Sequence, residues 1–384
     1  MNTNWNFKFF PKNSKMNFAA MEESTFLGPL IRGMECCNQD KEYHEEGNVW
    51  NHTKMCLESL LSLRDYKELS QEEQQILFMA TLLHDIGKPL TTKTEGDRIS
   101  SKGHSVRGAR LTREMIITWN SQKITDIPFH ARENICNLIL LHMLPVYLLE
   151  KIDPLYSASA SSMVIKNRML ATLAMADVKG RICNKDSTVK AKERIELFAL
   201  FCHEEGCYLY PYDFKSDRSK FRYFFENKGH PKYDYFEPEK GKVVMMCGLQ
   251  AAGKDHIIKT KYPDWEVVSL DQTRINMDLK FGDDEPSIIR DAREQCKVHM
   301  RKGTNFVFNA TNLVKDIRRR WITLFRQYKY EITIHYKERP LSVMLKANKD
   351  RESSVPESVI LDKVGRIDIP TPMECHKLIL DVTC

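Results

Sequence analysis

Two sets of residues in this chain are of the types that handle phosphate. The first is His52, the dipeptide His84-Asp85 and Asp177, each within a stretch whose apolar residues recur at helical spacing. Two imidazoles and two carboxylates make a mixed nitrogen and oxygen donor set that suits a divalent transition metal such as Mn, Co, Ni, Zn or Fe. Such an ion polarises a phosphoryl oxygen and lowers the pKa of its bound water, so a phosphoester can be hydrolysed with that water as nucleophile and no nucleophilic side chain. His104 and His142 fall between His84-Asp85 and Asp177 in sequence. They are read either as completing a second metal position or as hydrogen-bond donors to the phosphate, and His44 is a further candidate.

The second set is Gly248-Leu249-Gln250-Ala251-Ala252-Gly253-Lys254, which follows a predicted strand and opens a predicted helix. Glycines there let backbone N–H groups wrap the β- and γ-phosphates of ATP or another NTP, Lys254 bridges them, and the helix N-terminus adds its dipole. Gly248, Gly253, Lys254, Asp255 and His256 are the expected nucleotide contacts. Asp255 stands where Ser or Thr usually offers a hydroxyl to Mg²⁺, and its carboxylate can take that role directly or through water. Asp271 and Arg274 end the next predicted strand. A kinase acting on an alcohol needs such a carboxylate to accept the hydroxyl proton and such an arginine to hold a neighbouring phosphate. The plainer readings are a strand-capping aspartate and, for Arg318-Arg319-Arg320 after Asn309-Ala310-Thr311-Asn312, a solvated basic helix face.

The elements that must position these groups are legible from periodicity. From about Asn48 to Glu205 the apolar residues keep helical spacing, as in Met55, Leu57, Leu60, Leu61 and Ile76, Leu77, Met79, Ala80, Leu82, Leu83, which predicts an all-α domain over residues 1–207. Over residues 208–240 the pattern gives way to tyrosines and phenylalanines interleaved with lysines and arginines. Such a segment either packs between domains or stacks bases and contacts phosphates, and packing is the expectation. After Gly241 the short apolar runs Val243–Met246, Val267–Leu270, Phe306–Phe308 and Ile332–Ile334 are separated by helix-length segments, which predicts βαβ units and a parallel sheet flanked by helices over residues 241–384.

Composition narrows the class. With 42% hydrophobic and 29% charged residues in 384, neither disorder nor a membrane span is called for. The net charge of +6 is the small difference of 58 basic and 52 acidic residues, so any nucleic-acid footprint must be local. Eleven scattered cysteines with no Cys-x-x-Cys pair read as reduced thiols of a cytoplasmic protein. No membrane partner is expected, and a homodimer is compatible with the sequence.

The order His52, His84-Asp85-Ile86-Gly87-Lys88, His104, His142, Asp177 resembles the HD phosphohydrolase superfamily over about residues 47–181. The resemblance implies that His52, His84, Asp85 and Asp177 are metal ligands and that Arg181 faces the substrate phosphate. Residues 240–380 resemble the kinase domain of polynucleotide 5′-hydroxyl kinases, which implies that Asp271 is the general base and that Arg274 grips the acceptor's phosphate. Arg351, in Lys346-Ala347-Asn348-Lys349-Asp350-Arg351, matches a lid arginine that stabilises the transferring phosphate, whereas Ala347 replaces another and leaves Lys346 or Lys349 as substitutes. The full arrangement is similar to the bacterial HD-domain polynucleotide kinases. These act on RNA or DNA ends, phosphorylating 5′-OH termini with Mg²⁺ and NTP and removing 2′,3′-cyclic, 2′- or 3′-phosphates ahead of a ligase. A nucleotidase fused to a nucleoside or nucleotide kinase is the competing enzyme class, and a non-catalytic nucleotide-binding module is a third.

Overall fold

The computed structural model describes residues 5–11, 15–96, 98–279, 282–350 and 354–383, which fall into two compact units, Met1–Asp213 and Phe214–Cys384. The first unit is built on helices α1 (Val49–Ser62), α2 (Gln71–Leu83), α3 (His104–Ser121), α4 (Phe129–Leu141), α5 (Asn167–Lys179) and α6 (Lys185–Glu204). Ser70 starts α2 with a capping box, its side chain accepting from Glu73 N–H while the Glu73 carboxylate accepts from Ser70 N–H. Every residue of α2 from Gln75 to Leu83 is buried. A helix apolar on all sides must lie at the centre of its bundle, so the His84-Asp85 pair that follows it is delivered into the interior. Helices α3 and α4 are tied by Arg113 and Glu133, whose buried guanidinium and carboxylate meet at 2.8–3.1 Å. An exposed antiparallel hairpin, β1 (Lys93–Glu95) and β2 (Arg98–Ser100), interrupts the helical pattern. It is too short and polar to register as periodicity.

The second unit carries a five-stranded parallel sheet of β3 (Gly241–Cys247), β4 (Glu266–Ser269), β5 (Phe306–Asn309), β6 (Tyr330–Glu338) and β7 (Lys377–Val382), in the order β4-β5-β3-β6-β7. The four expected strands are present, and β7 adds an edge that the sequence reading did not assign. Helices α8 (Lys254–Lys261), α9 (Leu270–Asn276), α10 (Glu285–Lys302), α11 (Lys315–Gln327), α12 (Leu341–Lys349) and α13 (Glu357–Val364) connect the strands. Alternation along the strands separates two faces. Val244, Met246 and Val307 pack on Ile257 and Ile258 of α8. Phe308 points the other way, against Trp321 and Phe325 of α11 at ring separations of 4.2 and 5.9 Å. The chain leaves central β3 in both directions along the sheet, and the crevice at such a switch point, at the carboxyl ends of the strands, is where ligands of open α/β sheets bind.

The aromatic and basic stretch 208–240 is divided between the units. In the second unit, helix α7 (Asp217–Phe225) stacks Phe221 on His376 at 4.2 Å, pairs Arg218 with Glu239 and sets Arg222 over the Tyr235 ring. Arg326 holds both Glu226 and Glu237. These aromatics and cations are therefore partners of one another and of the sheet domain itself. No helix among the described residues is long and apolar enough to cross a membrane, and the described cysteines are free thiols.

Candidate functional sites

Each histidine of the first unit's candidate set sits where a helix begins or ends. His52 lies in the first turn of α1, His84 caps α2, His104 opens α3, His142 caps α4, and Asp177 lies in the last turn of α5. Two glycines allow these ends to converge. A Cβ on Gly87 would stand 2.1 Å from the His104 carbonyl oxygen, and one on Gly180 would stand 2.6 Å from the Cys56 backbone nitrogen. Only glycine permits such backbone approach. The first brings His104 beside Asp85, and the second brings Asp177 beside His52.

The hydrogen-bond pattern fixes the imidazole tautomers. His84, His104 and His142 each direct Nδ1 at the backbone carbonyl three residues earlier, Thr81 at 2.8 Å, Ser101 at 2.8 Å and Ile139 at 2.7 Å. A carbonyl can only accept, so Nδ1 carries the proton, and in the neutral ring Nε2 is left bare. His52 Nδ1 likewise faces two acceptors, Gly180 O at 3.2 Å and Glu46 Oε1 at 2.9 Å. The four Nε2 atoms point inward. His52 Nε2 meets Asp177 Oδ1 at 3.1 Å, and His104 Nε2 meets His142 Nε2 at 3.3 Å. Lone pairs set against lone pairs call for a cation between them. His84 Nε2 and Asp85 Oδ1 are buried with no hydrogen-bond partner among the described residues, as expected where an ion would complete the set. The donor set therefore fits a divalent metal.

Among the described residues, donors within 4.8 Å of one another form three groups: His44, Glu46 and His52; His52, Cys56, His84 and Asp177; and Asp85, His104 and His142. Asp85 Oδ2 links the last two, 3.3 Å from His84 Nε2 and 3.8 Å from His52 Nε2. Burial pushes both aspartates toward the neutral form, but nearby cations outweigh it and hold them well below the usual carboxylate range. For Asp177 the chief cation is Arg181, which donates from Nε at 3.1 Å and from a terminal nitrogen at 2.7 Å. For Asp85 it is Lys88, whose Nζ stands 2.7 Å from Oδ2. Burial pulls His142 down to about 3 and lowers His104, which keeps both rings neutral, while it raises the Cys56 thiol and leaves that group protonated. A cleft lined by Asp85, Lys88, His104, His142, Asp177 and Arg181 gives access.

In the second unit the loop after β3 runs through Gly248, Ala251 and Gly253, with φ of +145°, +58° and +97°. A Cβ at Gly248 would lie 2.3 Å from the Lys337 carbonyl oxygen, so side chains are excluded where the loop leaves the sheet. Lys254 folds back to donate to the carbonyls of Gly248 at 3.1 Å and Leu249 at 2.8 Å. Those oxygens stand in for phosphate oxygens, so the loop fits a nucleotide's phosphates. Asp255 is exposed and accepts from Asn309 Nδ2 at 2.8 Å, and His256 is exposed beside it. Asp271 opens α9 behind its Ser269 cap, with a side chain 80% exposed. Arg274 donates to Asp271 Oδ1 at 2.8 Å and to Glu285 Oε1 at 2.7 Å. Arg351 lies outside the described residues, while Lys346, Ala347 and Lys349 belong to α12.

Residues 49–158 match the HD domain model, and residues 243–369 match that of an AAA domain. The chain is an HD domain followed by a P-loop domain. No curated protein matches it. A crystal structure of a candidate kinase from Chloroflexus aurantiacus J-10-fl is similar over 38% of this chain and 87% of its own, at 16% identity and a TM-score of 0.32. So distant a likeness supports no conclusion about fold or activity. The span matched by the HD model stops short of Asp177 and Arg181, which the fold nevertheless brings to His52.

Sequence reasoning missed several groups. Glu46 accepts from Ile182 N–H at 3.0 Å and bridges His44 and His52, yet nothing in its neighbourhood announces it. Cys56, four residues after His52, was discoverable, because that spacing puts both on one helical face. In the P-loop domain the reading of Arg318-Arg319-Arg320 as one solvated face is corrected. Arg318 is fully buried, bound to Glu374 at 2.8 and 3.0 Å and to the carbonyls of Asn312, Leu313 and Asp368. It shares the 318, 321, 322, 325 stripe with Trp321, Ile322 and Phe325, which is the core face of α11.

Proposed function

We propose that the protein is a bifunctional nucleic-acid end-healing enzyme, which phosphorylates 5′-OH ends with an NTP and removes 2′,3′-cyclic, 2′- or 3′-phosphates, leaving ends that a ligase can join. On this reading it works in the cytoplasm with reduced thiols. The observation that carries the polynucleotide reading is the exposure of the acceptor carboxylate, since Asp271 is 80% open to solvent. A kinase for a free nucleoside encloses its acceptor, whereas the end of a long chain needs an open approach.

In the P-loop domain the N–H groups around Gly248 and Gly253 hold the NTP phosphates, and Lys254 leaves its loop carbonyls to neutralise the transferring group. Asp271 accepts the proton of the attacking 5′-hydroxyl, Arg274 holds the adjacent phosphate, and Arg351 adds charge at the lid. Asp255, oriented by Asn309, would help hold the Mg²⁺ that neutralises the NTP phosphates. In the HD domain His52, His84, Asp85 and Asp177 would hold the divalent metal, with His104 and His142 beside it. When bound, that ion supplies Lewis-acid polarisation and a lowered water pKa. Arg181 and Lys88, each already on a carboxylate of the centre, turn toward the end phosphate.

The test is to incubate the protein with ATP, Mg²⁺ and Mn²⁺ and an RNA bearing a 5′-OH and a 2′,3′-cyclic phosphate, with free nucleosides and nucleotides in parallel. Both RNA ends should change. Turnover of the free nucleosides and nucleotides alone would establish the nucleotidase and small-molecule kinase instead.

A further inference from the structure

The P-loop domain carries an open groove between α10 and α11, lined by Arg293, Arg319, Arg320, Thr323 and Asp316. Arg319 and Arg320 are exposed, and Arg293 is half-buried with its guanidinium over the Trp321 ring at 5.7 Å. Other arginines of this domain, Arg218, Arg274, Arg318 and Arg326, bind carboxylates at 2.8 Å or closer. By contrast, no carboxylate among the described residues lies within ion-pair distance of the three groove guanidinium groups. Three guanidinium groups against the single Asp316 carboxylate leave the groove net positive, and with Arg293 held over the Trp321 ring and Arg319 over the Phe225 ring they form an anion-binding surface.

Its place in the fold argues for a particular anion. Helix α10 begins at Glu285, the residue that holds Arg274 beside Asp271, and Arg293 lies eight residues along it. That is about 12 Å at helical rise, roughly three nucleotides of a stacked strand. We propose that this groove binds the phosphodiester backbone of a single nucleic-acid strand a few nucleotides downstream of the 5′ end at Asp271. The inference rests on the polynucleotide reading above and deepens it. Arginine forks on an open face contact phosphates without reading bases, so the groove should confer a length preference with little sequence preference.

The experiment uses the full-length protein and the combined variant Arg293→Gln, Arg319→Gln, Arg320→Gln, with folding checked by thermal melting. Phosphorylation of a 5′-OH dodecamer is compared with that of a dinucleotide, and binding of a labelled dodecamer is followed across salt concentrations. The variant should raise the dodecamer KM about tenfold and flatten the log–log salt slope by about 0.7 for each phosphate no longer neutralised, while the dinucleotide KM moves far less. Equal losses for both lengths, an unchanged salt slope, or wild-type binding of polyglutamate as tight as that of the dodecamer would overturn the proposal. If no 5′-OH oligonucleotide is phosphorylated at all, the kinase reading fails, and the binding arm alone still decides the groove.

Discussion

In the HD domain the candidate metal-holding groups are sunk, with His52, His84, Asp85, His142 and Asp177 between 0 and 3% exposed, whereas in the P-loop domain Asp271 stands 80% open and Lys254 rests on its own loop. The contrast follows from what each site must hold. A metal centre gathers several charges and lone pairs that repel in the absence of an ion, so it needs a rigid scaffold with backbone carbonyls fixing every tautomer. A phosphate loop presents neutral N–H groups and one lysine on a flexible stem, and the incoming nucleotide supplies the charge that orders them. One site is assembled by the fold, and the other is completed by its substrate.

The sharpest way to break this comparison is to disable each site in turn. Asp271→Ala should lower 5′-phosphorylation by roughly 10²–10⁴-fold, the usual worth of a general base, and Lys254→Ala should reduce it to background. Both should leave end-phosphate removal near normal. His84→Ala with Asp85→Ala should do the reverse, and if either set silences both activities in a folded protein, the two sites are not separate.

Smaller effects should distinguish a preassembled site from a substrate-completed one. Glu46→Gln keeps the shape but weakens the anchor on His52 Nδ1, and should lower Mn²⁺ or Co²⁺ affinity by ~10–100-fold in a direct titration, as loss of an outer partner to a metal-ligating histidine does. Unchanged metal affinity would mean that Gly180 O alone positions the ring. Arg274→Ala should lower acceptor-side kcat/KM by a similar ~10–100-fold, the worth of a charge-assisted bond to phosphate, with the ATP KM nearly constant. A loss expressed in ATP affinity would place Arg274 on the donor side.

At Asp255 the expected change is smaller. Asp255→Ser should stay within roughly tenfold of the parent, about 1.4 kcal/mol of barrier, while Asp255→Ala should shift the Mg²⁺ titration to higher concentration. An unmoved titration would remove Asp255 from the metal site.

A further effect, on stability rather than activity, concerns a histidine buried for packing. His376 accepts from the Ile332 N–H through Nδ1 at 3.0 Å, so it must be neutral, and burial, reinforced by Arg326, Arg218 and Lys220, lowers it from 6.5 to about 4. A depressed histidine contributes stability that is complete above the unfolded value of 6.5 and is lost as pH falls toward 4. The stability gap between the parent and His376→Gln should therefore shrink by up to about 1.4 kcal/mol per pH unit across that window, measured by urea unfolding. A constant gap would show that His376 does not titrate differently in the folded chain.

Local pattern carried most of the architecture because burial imposes a period on sequence. The continuous Val243–Met246 run had to be a strand covered on both faces, and the saturated α2 segment had to be a central helix. Strand β7 escaped because Lys377 and Asp381 break its apolar run on a half-covered edge. Of the three consecutive arginines, helical rotation placed Arg318 in the core and left Arg319 and Arg320 in the groove.

By itself, then, the sequence determined which groups were available for chemistry. His52, His84, Asp85, His104, His142, Asp177 and the Gly248–Lys254 loop are recognisable because donor type and glycine spacing are written locally. Tertiary structure decided which distant groups meet them. Glu46 beneath His52, Asp177 against His52 and the guanidinium groups of α10 and α11 that face one groove depend on where helix ends and faces meet, whereas Lys88 on Asp85 and Arg181 on Asp177 are neighbours three and four residues apart. In the HD domain those meetings are set by close approaches such as Gly87 to His104 and Gly180 to Cys56. Periodicity along one chain records which face is buried, and it carries no record of what that face is buried against.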